Sequence, residues 1–238
     1  MTTDAKQVEV DNLGNIYLIN EHEIKKYKPN GTYFGTFSTK SFGEIGSVDV
    51  SNPLKILLFF NSTSTLQFLD NMHGKSFSEI TLNIPTLTSN LAATSYNSGY
   101  WIYNSSNFEL SRFDANNNPT NTVANTHLIL NEKIHPNFMI ERDNSLYLND
   151  PESGIFVFDI YGTFYKKIPI KGLTKFNVKE GSINYFKNNY LIQYSFSTLS
   201  LDSIEIKGSQ SPSCINNRLV YELKSGWLKS YSLDNKKK

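Results

Sequence analysis

Asp49, Asp143, Asp150, Glu152 and Asp159 are the side chains in this 238-residue chain best suited to acid–base work. Two carboxyls can cleave a glycosidic bond when they face one cleft roughly 5–9.5 Å apart. Their spacing argues for another use. Asp11 and Asp143 recur at one turn position of a repeated pattern, and Asp70, Asp114 and Asp159 recur at another. An Asp at such a place accepts from backbone N–H groups just after it and fixes the turn. Arg112, Arg142 and Arg218 are the only arginines, too few for the cluster that grips a substrate carboxylate in bidentate fashion.

The other reactive types are scattered. His22, His73, His127 and His135 never form the paired spacing that places two imidazoles on one zinc ion. Asp11-Asn12-Leu13-Gly14-Asn15 offers hard oxygen ligands, but it lacks the alternating acids and distant Glu of a calcium loop. It reads as a hairpin turn with Gly14 supplying positive φ. Cys214 is the single cysteine, so no intrachain disulfide can form, and with no His nearby it reads as a small apolar residue at a strand start. No nucleophile elbow, phosphate loop or dinucleotide fingerprint is present. The expectation is no catalytic residue, no metal and no cofactor.

Partner classes narrow in the same way. Lys and Arg number 23 against 22 Asp and Glu, a net charge of +1, without the basic excess of a nucleic-acid binder. No apolar run is long enough to span a membrane. The opening Met1–Gln7 has neither an apolar stretch nor a cleavage site, so it does not read as a secretory leader; a cytoplasmic protein and a mature exported one both fit.

The elements that carry these residues are strands. Ala, the best helix former, occurs five times and the turn former Asn 28 times, with 14 Tyr and 16 Phe. Short apolar-aromatic strands recur at Asn15–Ile19, Lys55–Phe60, Tyr100–Tyr103, Leu146–Leu148, Tyr190–Ile192 and Leu219–Tyr221. Successive centres lie about 41, 43, 46, 44 and 29 residues apart, against the ~40–50 of a propeller blade. A strand ending in a polar turn precedes each core strand, as in Val8–Gly14 and Met139–Ser145. A third strand follows, as in Glu23–Tyr27, Thr65–Asp70, Glu109–Asp114 and Gly154–Asp159, and a fourth leaves at Tyr33–Phe37 or Thr163–Ile168. Alternation in Thr65–Leu69, with Leu66 and Phe68 inward, puts one face on a neighbour. Such a four-stranded unit cannot bury its faces alone, and radial stacking solves that.

The fold expected is therefore all-β, one β-propeller domain over residues 1–238, with six blades and with five as the alternative; a sandwich or open barrel lacks the repeat spacing. The sixth unit is short, Ser213–Ile215, Arg218–Glu222 and Trp227–Tyr231, and Thr3–Gln7 is the candidate for its missing strand. Lys171–Leu201 matches the pattern worst. Trp101 and Phe158 are expected between blades, whereas Trp227, beside a Gly in the short last unit, is expected to be exposed. The Ser/Asn-rich loops Asn61–Thr65, Asn104–Asn107 and Asn116–Asn125 offer a polar recognition surface, with Asn61, Thr63, Asn104, Asn107 and Trp227 as the partner-binding residues.

The segments VEVDNLGNIYLI and IKKYKPNGTY, and MIERDNSLYLND and GIFVFDIYGTFYKKIPI, resemble NHL-type and related bacterial propeller repeats, clearly in units one and four. Ser47–Phe60 is similar to a stretch of exported propellers of Gram-negative bacteria, and size and makeup resemble the periplasmic plug subunits of the type 9 secretion translocon. The resemblance implies a periplasmic, non-catalytic scaffold whose partner is a protein, a large outer-membrane translocon subunit. The alternative is a propeller hydrolase or carbohydrate-binding protein with a site at the central channel.

Overall fold

Ile56-Leu57-Leu58-Phe59-Phe60 is apolar without a break, which a strand with one wet face would not be. The computed structural model, which describes residues 1, 3–70, 76–82, 90–206, 213–216 and 219–233, shows why. Ile56, Leu58 and Phe60 pack towards one neighbouring sheet, and Leu57 and Phe59 towards the other. Both faces of the strand are interior. The same two-sided burial covers Thr65–Leu69, so the one-sided alternation expected there is corrected: Thr65 and Gln67 are buried with their apolar neighbours.

Six sheets result, each an antiparallel meander. Blade one is Gln7–Val10 (β1), Ile16–Ile19 (β2), Glu23–Tyr27 (β3) and Tyr33–Ser38 (β4). Blade two is Ser47–Asp49 (β5), Lys55–Phe60 (β6), Thr65–Asp70 (β7) and Ser76–Thr81 (β8). Blade three is Leu91–Thr94 (β9), Tyr100–Asn104 (β10), Glu109–Phe113 (β11) and Pro119–Val123 (β12). The short helix α1, Thr126–Leu130, leads to blade four: Phe138–Arg142 (β13), Ser145–Asp150 (β14), Gly154–Asp159 (β15) and Phe164–Ile168 (β16). Blade five is Asn177–Lys179 (β17), Ser182–Lys187 (β18), Tyr190–Ser195 (β19) and Leu201–Glu205 (β20). Blade six is Ser213–Asn216 (β21), Leu219–Lys224 (β22) and Trp227–Ser232 (β23). The chain is a six-bladed β-propeller with almost no helix, and the poorly matching stretch Lys171–Leu201 holds most of a regular blade five.

Six apolar clusters fill the six seams between successive blades. The last of these seams joins blade six to blade one through Tyr221, Leu223, Val8, Ile16 and Leu18, so the ring is closed. The chain start closes it further. The Thr3 N–H donates to the Gly226 carbonyl at 2.8 Å and the Leu228 N–H to the Met1 carbonyl at 2.8 Å. Met1 and Thr3 thus pair antiparallel with the start of β23 and add to blade six. The closing segment expected at Thr3–Gln7 is therefore shifted towards the start of the chain, because Gln7 already opens β1.

Antiparallel meanders sort the turns onto two rims. One rim, here the hairpin rim, carries the first-to-second and third-to-fourth strand turns. The other, the linker rim, carries the second-to-third strand turns and the connections between blades. The β1–β2 turn is of the expected kind, with Gly14 at φ 83° and its N–H donating to the Asp11 carbonyl at 3.0 Å.

Candidate functional site

The carboxylates on the hairpin rim hold turns and, at Asp49 and Glu141, tie neighbouring blades. Asp11 is buried and accepts from the Leu13 and Asn15 N–H groups at 2.9 Å each, and from the Asn15 amide and Tyr17 hydroxyl at 2.8 Å each. Both Asp11 carboxylate oxygens are thus taken up in the turn, as the hairpin reading expects. Asp49, at the end of β5, accepts from the Ser51 N–H at 2.8 Å, and from the Thr94 N–H at 2.8 Å and hydroxyl at 2.7 Å across the seam. Glu141, in β13, reaches the adjoining residues from the other side. It accepts from the Ser95 hydroxyl at 2.6 Å, the Tyr96 N–H at 2.9 Å and the Trp101 indole N–H at 2.6 Å. Blade three is clasped by one acid from each neighbour.

Arg112 completes the clasp. Its Nε donates to Ser95 Oγ at 2.8 Å, and its remaining nitrogens donate to the Tyr96 carbonyl and Thr120 hydroxyl at 3.0 Å each. Its guanidinium lies 3.8 Å from the Tyr96 ring centroid, a cation–π contact. Ser95 therefore relays between a buried guanidinium and a carboxylate. Sequence reasoning missed Glu141, Ser95 and Arg112 as a unit. A signal existed: Asp49 to Thr94 spans 45 residues and Glu141 to Ser95 spans 46, one repeat length each.

Asp159 and Asp114 also hold turns. Asp159 accepts from the Tyr161 and Thr163 N–H groups at 2.8 Å each, and Asp114 from those of Asn116 and Asn118 at 2.8 and 2.9 Å. These bonds keep the Asp114 carboxyl below its ordinary pKa, the Asn118 backbone N–H contributing most. Asp70 ends β7 at the equivalent place, but Asn71 and the turn beyond lie outside the described residues. Asp11 and Asp143 do not share a turn geometry. Asp11 caps a turn reaching Asn15, whereas Asp143 and Asn144 form a two-residue turn at φ 50° and 58°.

Asp150 is buried on the linker rim, where it accepts from the N–H groups of His135 at 2.6 Å, Glu152 at 2.7 Å and Ser153 at 2.8 Å. Asp143 and Asp150 flank opposite ends of β14, on the order of 20 Å apart at ~3.3 Å per residue. That is beyond the reach of a carboxyl pair acting on one sugar.

His22 Nδ1 lies 3.0 Å from the Gly43 carbonyl, and the His127 ring packs edge-on against Phe108. His73 and Arg218 lie outside the described residues. No group of three His, Cys, Asp or Glu side chains fit to hold a metal occurs among the described residues.

A cavity of about 630 Å³ runs along the ring axis. Its wall includes Phe138, Arg142, Lys179, Asn216 and an ion pair between Lys175 of blade five and Glu9 of blade one. Gln7 Nε2 also donates to Glu9 at 2.6 Å. Cys214 faces the same cluster, and burial, followed by the charge of Glu9, pushes its thiol pKa up. A thiol held in this way is a poor nucleophile at neutral pH.

The residues expected to bind a partner are gathered on one rim. Asn61 and Thr63 lie in the β6–β7 turn, Asn104 and Asn107 at the β10–β11 turn, and Trp227 just after the β22–β23 turn, all on the linker rim. They do not all face outward. Asn61 and Thr63 are half-buried, and Thr63 donates to the Phe42 carbonyl at 3.2 Å. Asn104 is 8% exposed and accepts from the Ser106 N–H at 3.0 Å. Asn107 is exposed, and Trp227 is 51% exposed.

No protein-family model and no curated protein matches the chain. Solved structures do resemble it. A streptogramin B lyase aligns over 99% of this chain and 85% of its own, at 12% identity and TM-score 0.64. The Pan2 WD40 domain of Neurospora crassa covers 93% of this chain and 75% of its own, at 8% identity and TM-score 0.61. A protein of unknown function from Bacteroides caccae covers 85% and 78%, at 13% identity and TM-score 0.55. At these identities the likeness is one of fold.

Proposed function

We propose that this protein is a non-catalytic propeller scaffold that binds a protein partner through its linker rim. We further propose that it serves in the periplasm as a plug or accessory subunit of an outer-membrane protein-secretion translocon of the type 9 kind. The observation that supports the scaffold reading most is the use of the acids. Asp49 and Glu141 are occupied in clasping blade three, and Glu9, on the cavity wall, is paired with Lys175. Rigid blades present rim residues at little ordering cost, which favours association. Trp227, a type enriched at interface hot spots, projects from that rim beside the ring closure. No described helix is long and apolar enough to cross a membrane.

The test is purification of the tagged native protein from detergent-solubilised envelope, with cell fractionation alongside. Recovery with one large membrane protein, reduced by Trp227→Ala and by Asn107→Glu, is the expected result. Recovery as a lone monomer that hydrolyses or binds a sugar would favour the second reading, a ligand site in the channel. The axial cavity supports that alternative, because about 630 Å³ lies within the ~300–1,000 Å³ range of small-molecule pockets.

A further inference from the structure

The outermost strand of a blade presents a row of unpaired backbone groups, and proteins guard such edges with bulges, lysines, prolines or covering chain. In this ring the guarding is uneven. The third and fourth strands shift register in blades one to four, between Lys26 and Tyr27, Phe68 and Leu69, Arg112 and Phe113, and Val157 and Phe158. β12 also begins with Pro119, and β16 carries Lys166 and Lys167. Blade six is covered at the start of β23 by Met1 and Thr3. β20, Leu-Asp-Ser-Ile-Glu, has no bulge, lysine or proline, is covered by no chain among the described residues, and pairs with β19 without a shift; its only guard is the pair of acids Asp202 and Glu205.

All five residues of β20 are exposed, including Leu201 at 59% and Ile204 at 53%. The ladder also fixes which backbone groups are free. The Ser195 N–H donates to the Ser200 carbonyl and the Ile206 N–H to the Asn189 carbonyl. Hydrogen-bonded pairs alternate along an antiparallel ladder, so Asp202 and Ile204 turn their backbone groups towards β19. Leu201, Ser203 and Glu205 turn theirs outward.

We propose that the outer edge of β20 is a strand-addition site for an extended segment of a partner protein, in which aliphatic residues stand opposite Leu201 and Ile204 and Lys or Arg stands opposite Asp202 and Glu205. Main-chain bonds to Leu201, Ser203 and Glu205 supply affinity, and the alternate side chains supply choice. The occupant is set by charge. β20 carries two acids and no base, so opposite charges directly across the ladder stabilise pairing and like charges oppose it. An antiparallel guest reads basic, aliphatic, any residue, basic, aliphatic. The molecule already uses this geometry on itself, where Met1 and Thr3 pair with the start of β23. The inference rests on the scaffold reading and adds a second mode of contact to the linker rim.

The test uses the full chain and the blocked peptide TKVTKVT, with TEVTEVT as its charge-reversed control. Hydrogen exchange is read residue by residue. TKVTKVT is expected to slow exchange at Leu201, Ser203 and Glu205 at least ~10-fold at saturation, and TEVTEVT to bind at least ~10-fold more weakly. Ser203→Pro removes an outward N–H that no ladder bond uses, so the thermal midpoint should hold while peptide binding is lost. Ile204→Lys is the second variant should Ser203→Pro not fold. Unchanged exchange at those amides, or equal effects of both peptides, would overturn the site. Concentration-dependent dimerisation abolished by Ser203→Pro would give the edge to a second copy and overturn the hetero-partner. Loss of the envelope partner in Trp227→Ala with full retention in Ser203→Pro would leave the rim reading standing and remove this one.

Discussion

The seam between blades three and four and the seam between blades five and six are built to different standards. The first buries Trp101, Tyr103, Leu110, Met139, Leu146, Leu148, Phe156 and Phe158 in one cluster, and the Glu141–Ser95–Arg112 clasp lies across its rim. The second has Leu191, Ile206 and Val220 as its fully buried members among the described residues. Its polar tie is the Asn177 amide, which donates to the Ile215 carbonyl at 3.1 Å. Hydrophobic stabilisation scales with apolar area removed from water, so among the described residues the first seam is the stronger and the second the weaker. The weak seam adjoins the unguarded edge of β20 and the blade that carries Trp227. Local opening free energies differ across a fold in this way, and surfaces that must adapt to a partner come from the low end.

The comparison breaks most visibly if the two seams respond alike to truncation. Trp101 is fully buried, and removing such a side chain costs roughly 3–5 kcal/mol. Val220→Ala removes two methyl groups from the weaker seam and should cost about 1.5 kcal/mol. In urea unfolding, Trp101→Ala should lower the midpoint by two to three times as much as Val220→Ala. Equal shifts would mean that the seams carry equal load.

The clasp comes next. Glu141→Ala leaves the Trp101 indole N–H and the Tyr96 N–H without their acceptor and strips Ser95 of its partner beside Arg112. A buried donor left unsatisfied costs roughly 1–3 kcal/mol, and the Trp101 indole is the buried one of the two, so about 2 kcal/mol is expected from this change. Asn177→Ala at the weak seam should cost about 1 kcal/mol, the worth of a single neutral bond. A smaller effect of Glu141→Ala than of Asn177→Ala would reverse the ranking.

High pH offers a gentler probe. Burial, and secondarily the charge of Asp114, push the Tyr100 phenol up to about 12. Burial, with Asp11 beside it, raises Tyr17 further still. A folded pKa above the unfolded value of ~10 gives stability that is complete below pH ~10 and is lost as pH rises through the folded value. Phenolate absorbance from Tyr17 and Tyr100 should therefore appear only with unfolding. Tyr100→Phe should move the alkaline unfolding midpoint upward with little change at neutral pH, because its hydroxyl reaches Asn117 Oδ1 only at 3.4 Å. A midpoint that stays fixed would exclude Tyr100 as a contributor.

Much of this asymmetry could be read before any coordinates. Five consecutive apolar residues at Ile56–Phe60, the spacing of the core strands and the aromatic character of Trp101 and Phe158 report burial directly, because two-sided interior strands need no polar alternation. Blade five was harder to see because β20 is polar and exposed, and hydrophobic periodicity registers only what is buried. The clasp was hidden for another reason: Asp49 and Glu141 meet partners a full repeat away, where no short motif can register. The rim loops were legible as loops, and the repeat places them on one side. The inward aim of Asn104 was not legible, since an Asn can cap its own turn or face a partner with the same local sequence.

The two tryptophans give the finest reading of the contrast. Trp101 is 0% exposed and donates to Glu141, while Trp227 is 51% exposed at the start of β23. Surface substitutions away from caps and networks usually stay within about 0.5 kcal/mol, so Trp227→Ala should leave the urea midpoint nearly unchanged. The fluorescence should divide sharply. In Trp227→Ala the remaining emission comes from Trp101 and should be blue-shifted and insensitive to iodide. In the wild type, iodide should quench only the red-shifted component from Trp227. Partner binding through the linker rim should abolish that quenching while Trp101 emission stays constant. A partner that binds and leaves Trp227 fully quenchable would detach the exposed aromatic from recognition, and the loose end of the ring would then be a feature of stability alone.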